Sequence, residues 1–251
     1  MDLKIVKTSL DSILSLRTLF LQENNFQVRY DACHIRGWAG EYIFRVDDVE
    51  IGYGSVKGKE DLKDRDAIFE FYVVPAVRNR AATIFAALIK ASGVSYIECQ
   101  SNDLLLSAMM FEFAKNIFSD VTLFKAGSVT YHHFDDVIFR KKMDTDHLFD
   151  HKHEPEGDYV IEKDGEIVGT GGFLLHYNKP FADLYMEVQP GHRRKGYGSF
   201  LIQEIKKVCY LAGRVPAARC GISNPASKAT LIKAGMEVAG YMLTGEIQAA
   251  I

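Results

Sequence analysis

The chain has 251 residues, 47% of them hydrophobic and 25% charged, which is enough apolar material for one large or two small packed cores. Lysine and arginine number 30 against 33 acidic residues, a formal charge of −3, so no overall attraction to nucleic acid is expected and any basic site must be local. Cys33, Cys99, Cys209 and Cys220 form no CxxC pair and stand in apolar stretches, which speaks against a disulfide frame or a zinc ribbon and fits a reducing cytoplasm. Charges from Asp2 to Arg17 interrupt the N-terminal segment, and no run approaches the ~20 apolar residues of a membrane span, so a soluble protein with no membrane partner is expected.

In chain order, Leu10, Ile13, Leu14, Leu16, Leu19 and Phe20 predict a helix over Leu10 to Asn24, with Ser9 or Asp11 as a cap. A hairpin follows, Tyr42 to Val46 and Ile51 to Val56, turning at Asp47-Asp48. Then come a strand (Ile68 to Val74), a helix (Ala81 to Ala91), a strand (Ser95 to Cys99), a helix (Leu104 to Asn116) and a strand (Val121 to Lys125). Arg140 to Asp158 is highly charged and reads as a linker or cover. Five of the eight histidines fall between 132 and 153, but their spacing matches no metal-ligand pattern and no metal is expected. The remaining segment predicts a hairpin over Tyr159 to Leu175, a strand (Asp183 to Gln189), a helix (Tyr197 to Ala212), a strand (Ala218 to Ile222), a helix (Ala226 to Ala234) and a strand (Met236 to Thr244).

The two halves repeat each other. Tyr42-Ile-Phe-Arg-Val-Asp47 with Gly52 and Gly54 is matched 117 residues later by Tyr159-Val-Ile-Glu-Lys-Asp164 with Gly169 and Gly171. Val73-Val-Pro75 and Arg78 are matched at an offset of 115 by Val188-Gln-Pro190 and Arg193, and Ser101-Asn102 at 122 by Ser223-Asn224. The expected organisation is a mixed α/β sheet architecture in two tandem domains, 1–130 and 131–251.

The segment richest in chemistry is Asp183 to Ser199, a strand ending at Pro190, a basic loop, then a helix. Gly196 and Gly198 let backbone approach a ligand, and the unpaired N–H groups of the first helical turn point into that space. Arg193, Arg194 and Lys195 add three formal charges to the helix dipole, so a pyrophosphate is the natural guest. An ordinary strand-to-helix turn with a solvated basic edge is the competing explanation. A nucleoside-triphosphate loop is excluded because Lys195 precedes the glycine, and a dinucleotide loop because Leu201 stands where a third glycine is needed.

The segment resembles the GNAT superfamily of acyl-CoA N-acyltransferases, whose signature is V-x-P followed by [QR]-x-x-G-x-[GA] at a helix start. Here it reads Val188-Gln-Pro190 and Arg193-Arg-Lys-Gly196-Tyr-Gly198. A second signature, N-x-x-[AS] then K-x-G-[FM], is met by Asn224-Pro-Ala-Ser227 and Lys233-Ala-Gly235-Met236. The likeness is strong over residues 130 to 251. In the first half Ala81 and Thr83 stand where the glycines belong, which implies a degenerate GNAT-like domain without a coenzyme loop.

The resemblance implies that acetyl-CoA is the cosubstrate. Its pyrophosphate would sit on the backbone of Arg193, Arg194, Lys195, Gly196, Tyr197, Gly198 and Ser199, its pantetheine arm beside the main chain of Met186 and Val188, and Asn224 and Ser227 would meet the arm from the neighbouring strand end. Asn224 is equally well placed to cap a helix. Acyl transfer to an amine needs a base and an acid, yet the family's usual positions hold Leu184, Ala182, Arg219 and Leu231. The polar row Asp183, Tyr185 and Glu187 remains. Glu187 is the candidate base, directly or through water, or a structural carboxylate; Tyr185 is the candidate acid, and His176 a further base candidate. The expected function is N-acetyl transfer to an amine of a small molecule or peptide, with the first domain walling the acceptor site. The alternative is a non-catalytic coenzyme A-binding or interaction protein.

Overall fold

A computed structural model of the chain describes residues 2–24, 30–61 and 63–248. Its elements are β1 (Leu3–Thr8), α1 (Leu10–Glu23), α2 (Tyr30–Ile35), β2 (Gly40–Val46), β3 (Val49–Lys57), β4 (Ala67–Val73), α3 (Ala81–Ser92), β5 (Tyr96–Gln100), α4 (Leu104–Phe113) and β6 (Ala114–Ala126). They continue with β7 (Val137–Lys141), β8 (Tyr159–Lys163), β9 (Glu166–Leu174), β10 (Phe181–Val188), α5 (Tyr197–Leu211), β11 (Val215–Gly221), α6 (Pro225–Lys233) and β12 (Met236–Ile247). The mixed α/β class is as the sequence predicts, whereas β1, α2 and β7 are additions. No described helix is long and apolar enough to cross a membrane.

The described residues divide into two compact units, one built from the chain up to Asp120 together with the segment from Gly240, the other from Val121–Ala239. The division between the units falls at Asp120/Val121, and the described residues from Gly240 go with the first unit. Met242–Glu246 of β12 pair antiparallel with Gln100–Tyr96 of β5, so the last strand, expected to stay with the second domain, continues the first unit's sheet. An alternating strand pattern reads the same whichever sheet it joins, and β5 would otherwise present open hydrogen-bonding groups on that side.

In the first unit the strand order is β1-β2-β3-β4-β5-β12. Ile13, Leu16 and Phe20 of α1 pack with Ile43, Tyr53 and Tyr72 on one face, while Ile84, Phe85 and Leu88 of α3 pack with Phe44 and Phe71 on the other. Neighbouring strand residues thus serve opposite cores, as a period of two requires. Beneath α1 lies a buried polar network. Glu70 accepts hydrogen bonds from Arg17 Nη2 (2.9 Å) and the Tyr53 hydroxyl (2.9 Å) and lies 3.2 Å from His34 Nε2, while His34 Nδ1 is 2.9 Å from Glu41.

In the second unit the order is β6-β11-β10-β9-β8-β7. Leu201, Ile202, Ile205 and Cys209 line one side of α5 and are buried against Ile161, Val168 and Leu184, each burial contributing about 1.5–3 kcal/mol. Both hairpins turn through two left-handed residues, Asp47 (φ 48°) and Asp48 (φ 66°), then Asp164 (φ 51°) and Gly165 (φ 81°), which matches the twist of paired strands. The units differ in one respect that bears on the site. Where the first carries α1 and α2 between its first two strands, the second has no helix between β7 and β8, only the irregular stretch 142–158.

Candidate functional site

β10 and β11 run parallel and pair only at Phe181–Val215, Ala182–Pro216 and Asp183–Ala217. Beyond Asp183 they separate, and the gap opens into a cleft of about 730 Å³ lined by Met186, Glu187 and Val188, the loop into α5, and α6 from Asn224 to Lys233. The Gln189 N–H donates to Val168 O on β9 (3.0 Å). Strand alternation then turns the N–H and C=O groups of Met186 and Val188 toward the cleft, away from β9. The Val188 carbonyl is taken by Arg193 Nε (2.8 Å), which leaves the Met186 amide and the Val188 N–H to receive a ligand.

The geometry of the loop suits an anion. Arg194 (φ 63°) and Gly196 (φ 91°) take left-handed conformations, curling successive amides into a concave surface before α5 begins. The Phe200 N–H is bonded to Gly196 O (3.1 Å), so the amides of Tyr197, Gly198 and Ser199 lie ahead of the first intrahelical bond and carry the positive end of the helix dipole. A Cβ on Gly198 would stand 3.1 Å from both Met186 Cε and Thr230 Cγ2. Bare backbone there keeps β10, α5 and α6 close while leaving the cleft open.

Most of the sequence-predicted residues meet in this cleft: Met186, Glu187, Val188, Arg193, Arg194, Gly196, Tyr197, Gly198, Ser199, Asn224 and Ser227. Several of their side chains are otherwise engaged. Arg193 turns back on its own strand, its Nε on Val188 O and its Nη2 3.3 Å from Glu187 Oε1. Ser199 Oγ donates to Thr230 O (3.2 Å), leaving its N–H for a ligand, and Asn224 Oδ1 accepts the Ser227 N–H (3.0 Å), the capping role. Lys195 is exposed and does not line the cleft. The cation that does, besides Arg193 and Arg194, is Lys233 from α6, whose Nζ lies 3.7 Å from where a Gly196 Cβ would be. The sequence carried Lys233 inside the second motif without assigning it a task.

The catalytic candidates come out differently. Tyr185 does not line the cleft; its hydroxyl is 3.4 Å from the Glu156 carbonyl, and burial, with Asp158 and Glu154, pushes the phenol up. Glu187 does line it but is spoken for. Oε2 accepts the backbone N–H groups of Lys152 (3.1 Å), His153 (3.2 Å) and Glu154 (3.4 Å). Burial pushes its carboxyl up, yet these three amides outweigh that and hold it below the usual carboxylate range. His176 Nε2 lies 3.4 Å from Asp183 Oδ2, outside the cleft. The stretch 150–156 is thus a strap tied across the polar row, and it brings His153 and Glu154 to the cleft, two residues for which the charged linker gave no signal. The clustered histidines scatter: His132 meets Lys233 O, His133 meets Asp135, and His151 meets Thr170.

The first unit shows the same frame without the anion loop. β4 and β5 pair only at Ala67–Tyr96 and Ile68–Ile97, and Arg78 Nε donates to Val73 O (3.0 Å) as Arg193 does to Val188. But the 3-10 turn Pro75–Arg80 runs directly into α3, with Arg80 at φ −111° and Ala81 at φ −53°, so no left-handed residue curls the amides inward.

Residues 126–236 match the model of the acetyltransferase (GNAT) family. Among solved structures the chain is similar over 99% of its length to all of a GNAT-family acetyltransferase from Colwellia psychrerythraea, with a TM-score of 0.73 and 13% identity. A tandem GNAT protein from the clavulanic acid biosynthesis pathway aligns over the whole of both chains at a TM-score of 0.61 and 12% identity. A GCN5-related N-acetyltransferase from Sphaerobacter thermophilus aligns over 99% of this chain and 97% of its own at 0.61 and 14%. No curated protein matches. The match to the acetyltransferase (GNAT) family covers the segment 126–236, which holds the splayed strands and the amide-lined loop, and the solved structures share its fold over nearly the whole chain.

Proposed function

We propose that the cleft of the second unit binds acetyl-CoA and that the chain transfers its acetyl group to an amine of a small molecule or peptide. The observation that carries this is the concave run of free amides from Arg194 to Ser199 standing at the mouth of the β10/β11 gap. The donor set suits a pyrophosphate: backbone N–H groups at a helix start, with Arg194 and Lys233 beside them. The Met186 amide and Val188 N–H continue the path along β10, where a pantetheine arm finds the peptide-like partners it needs. Acetyl-CoA supplies an acyl group activated as a thioester; the chain's residues bind, align and exclude water. Alignment alone accelerates attack by a neutral amine many-fold. The first unit, lacking the curled loop, binds no coenzyme on this reading. A reducing cytoplasm suits the four cysteines, all buried.

A non-catalytic coenzyme-binding role competes, favoured by the commitment of Glu187 to the strap and by Tyr185 lying outside the cleft. Acceptor-dependent release of free thiol from acetyl-CoA over a broad amine panel separates the two. Release supports transfer; binding without release supports the alternative.

A further inference from the structure

We infer that Glu154, presented by the strap, is the residue that takes the proton from the attacking amine. The inference rests on the acetyl-transfer reading above and adds the base that reading lacks. With Glu187 engaged, Glu154 is the other carboxylate lining the cleft. Its backbone is held, because its N–H donates to Glu187 Oε2 together with those of Lys152 and His153, so the residue is fixed beside the β10 edge that offers Met186 and Val188. Its side chain is free: among the described residues its carboxylate makes no hydrogen bond and no ion pair.

The surroundings favour proton uptake. Glu154 is exposed overall, but desolvation of its carboxyl on the cleft side, Asp183 and Glu187 push that carboxyl up, against Arg219. Asp183 and Glu187 face it from β10 and Arg219 from β11, while His153 is its cleft-lining neighbour on the strap. Asp183 is itself shared between His176 Nε2 (3.4 Å) and Arg219 Nε (3.7 Å), which leaves Glu154 as the carboxylate with open lone pairs. In the step, the amine nitrogen bonds to the thioester carbonyl carbon and its proton passes to Glu154. The carbon–sulfur bond breaks, and sulfur departs with the electron pair as a thiolate that water protonates. Glu154 then returns its proton to solvent.

The test is the pH dependence of kcat/KM for thiol release, with acetyl-CoA and an amine found by the panel above, in wild type, Glu154→Gln and Glu154→Asp, alongside acetyl-CoA affinity. Glu154→Gln should lose about 100-fold or more in kcat/KM and its acid limb, with acetyl-CoA affinity and melting temperature unchanged; Glu154→Asp should keep the limb at reduced rate. A Glu154→Gln protein with wild-type rate and limb overturns the inference and leaves acetyl transfer standing. Wild-type protein that binds acetyl-CoA but releases no thiol with any amine overturns both.

Discussion

Replacing Glu187 by Gln probes the strap most sharply. The carboxylate accepts three strap amides on Oε2 and faces Arg193 through Oε1. Glutamine has one acceptor oxygen. If that oxygen faces the strap, its NH₂ meets the Arg193 guanidinium; if the amide flips, three N–H donors lose their acceptor. The Lys152 and His153 bonds, at 3.1 and 3.2 Å, are well formed, and bonds to an ionised acceptor are each worth about 1.5–3 kcal/mol. The Arg193 pair is half-exposed and adds little. Partial retention gives a loss of about 2–3 kcal/mol in strap attachment, which corresponds to about 30–150-fold faster hydrogen exchange at the Lys152, His153 and Glu154 amides. Exchange followed by mass spectrometry or NMR reads this directly, and the melting temperature of the second unit should fall by several degrees. The acid limb of the rate profile should survive. Unchanged exchange at 152–154 together with a vanished acid limb would refute this account and make Glu187 the base.

Three further outcomes are expected. Gly196→Ala, forced to φ 91°, should cost about 1–2 kcal/mol and weaken acetyl-CoA binding; Gly93→Ala at φ 68°, with open space around it, should show a similar melting shift and no change in binding. Lys233→Met should weaken acetyl-CoA binding about 5–10-fold, with a smaller salt dependence in titration calorimetry and little change in melting. In the first unit, burial pushes the His34 imidazole down, but Glu70 and Glu41 outweigh it and raise its pKa to about 9; burial pushes the Glu70 carboxyl up, but Arg17 and His34 bring it to about 2. The His34 contribution is therefore complete below about pH 6.5 and lost as pH rises through about 9, while that of Glu70 is present above about pH 4.5 and lost as pH falls toward about 2. Denaturant melts at several pH values should show both limbs, and His34→Gln should remove the alkaline one.

Much of the molecule was legible because its strongest signals are local. The Asp47-Asp48 turn, the helix from Tyr197 and the Gly196–Gly198 loop each follow from neighbouring residues and appear where the sequence puts them. What escaped depends on contacts distant in the chain. β7, five residues long and running from the apolar Val137-Ile-Phe139 into the charged stretch, is too short to show an alternation, and nothing in Lys152-His153-Glu154 signals that their amides converge on Glu187. The transfer of Met242–Glu246 to the first unit is invisible to alternation, which gives a strand but not its partner. Arg193 was read as a phosphate ligand from its charge; its geometry shows a side chain folded onto Val188, as Arg78 is on Val73 in the first unit.

The central claim, one coenzyme site on the amide-lined loop of the second unit, is tested most directly by calorimetric titration of acetyl-CoA into wild type and Gly198→Glu, which sets a bulky anion between Met186 and Thr230. One-to-one binding in wild type that disappears in the variant is the expected result. Absence of wild-type binding, binding that survives the substitution, or a second equivalent site would contradict it.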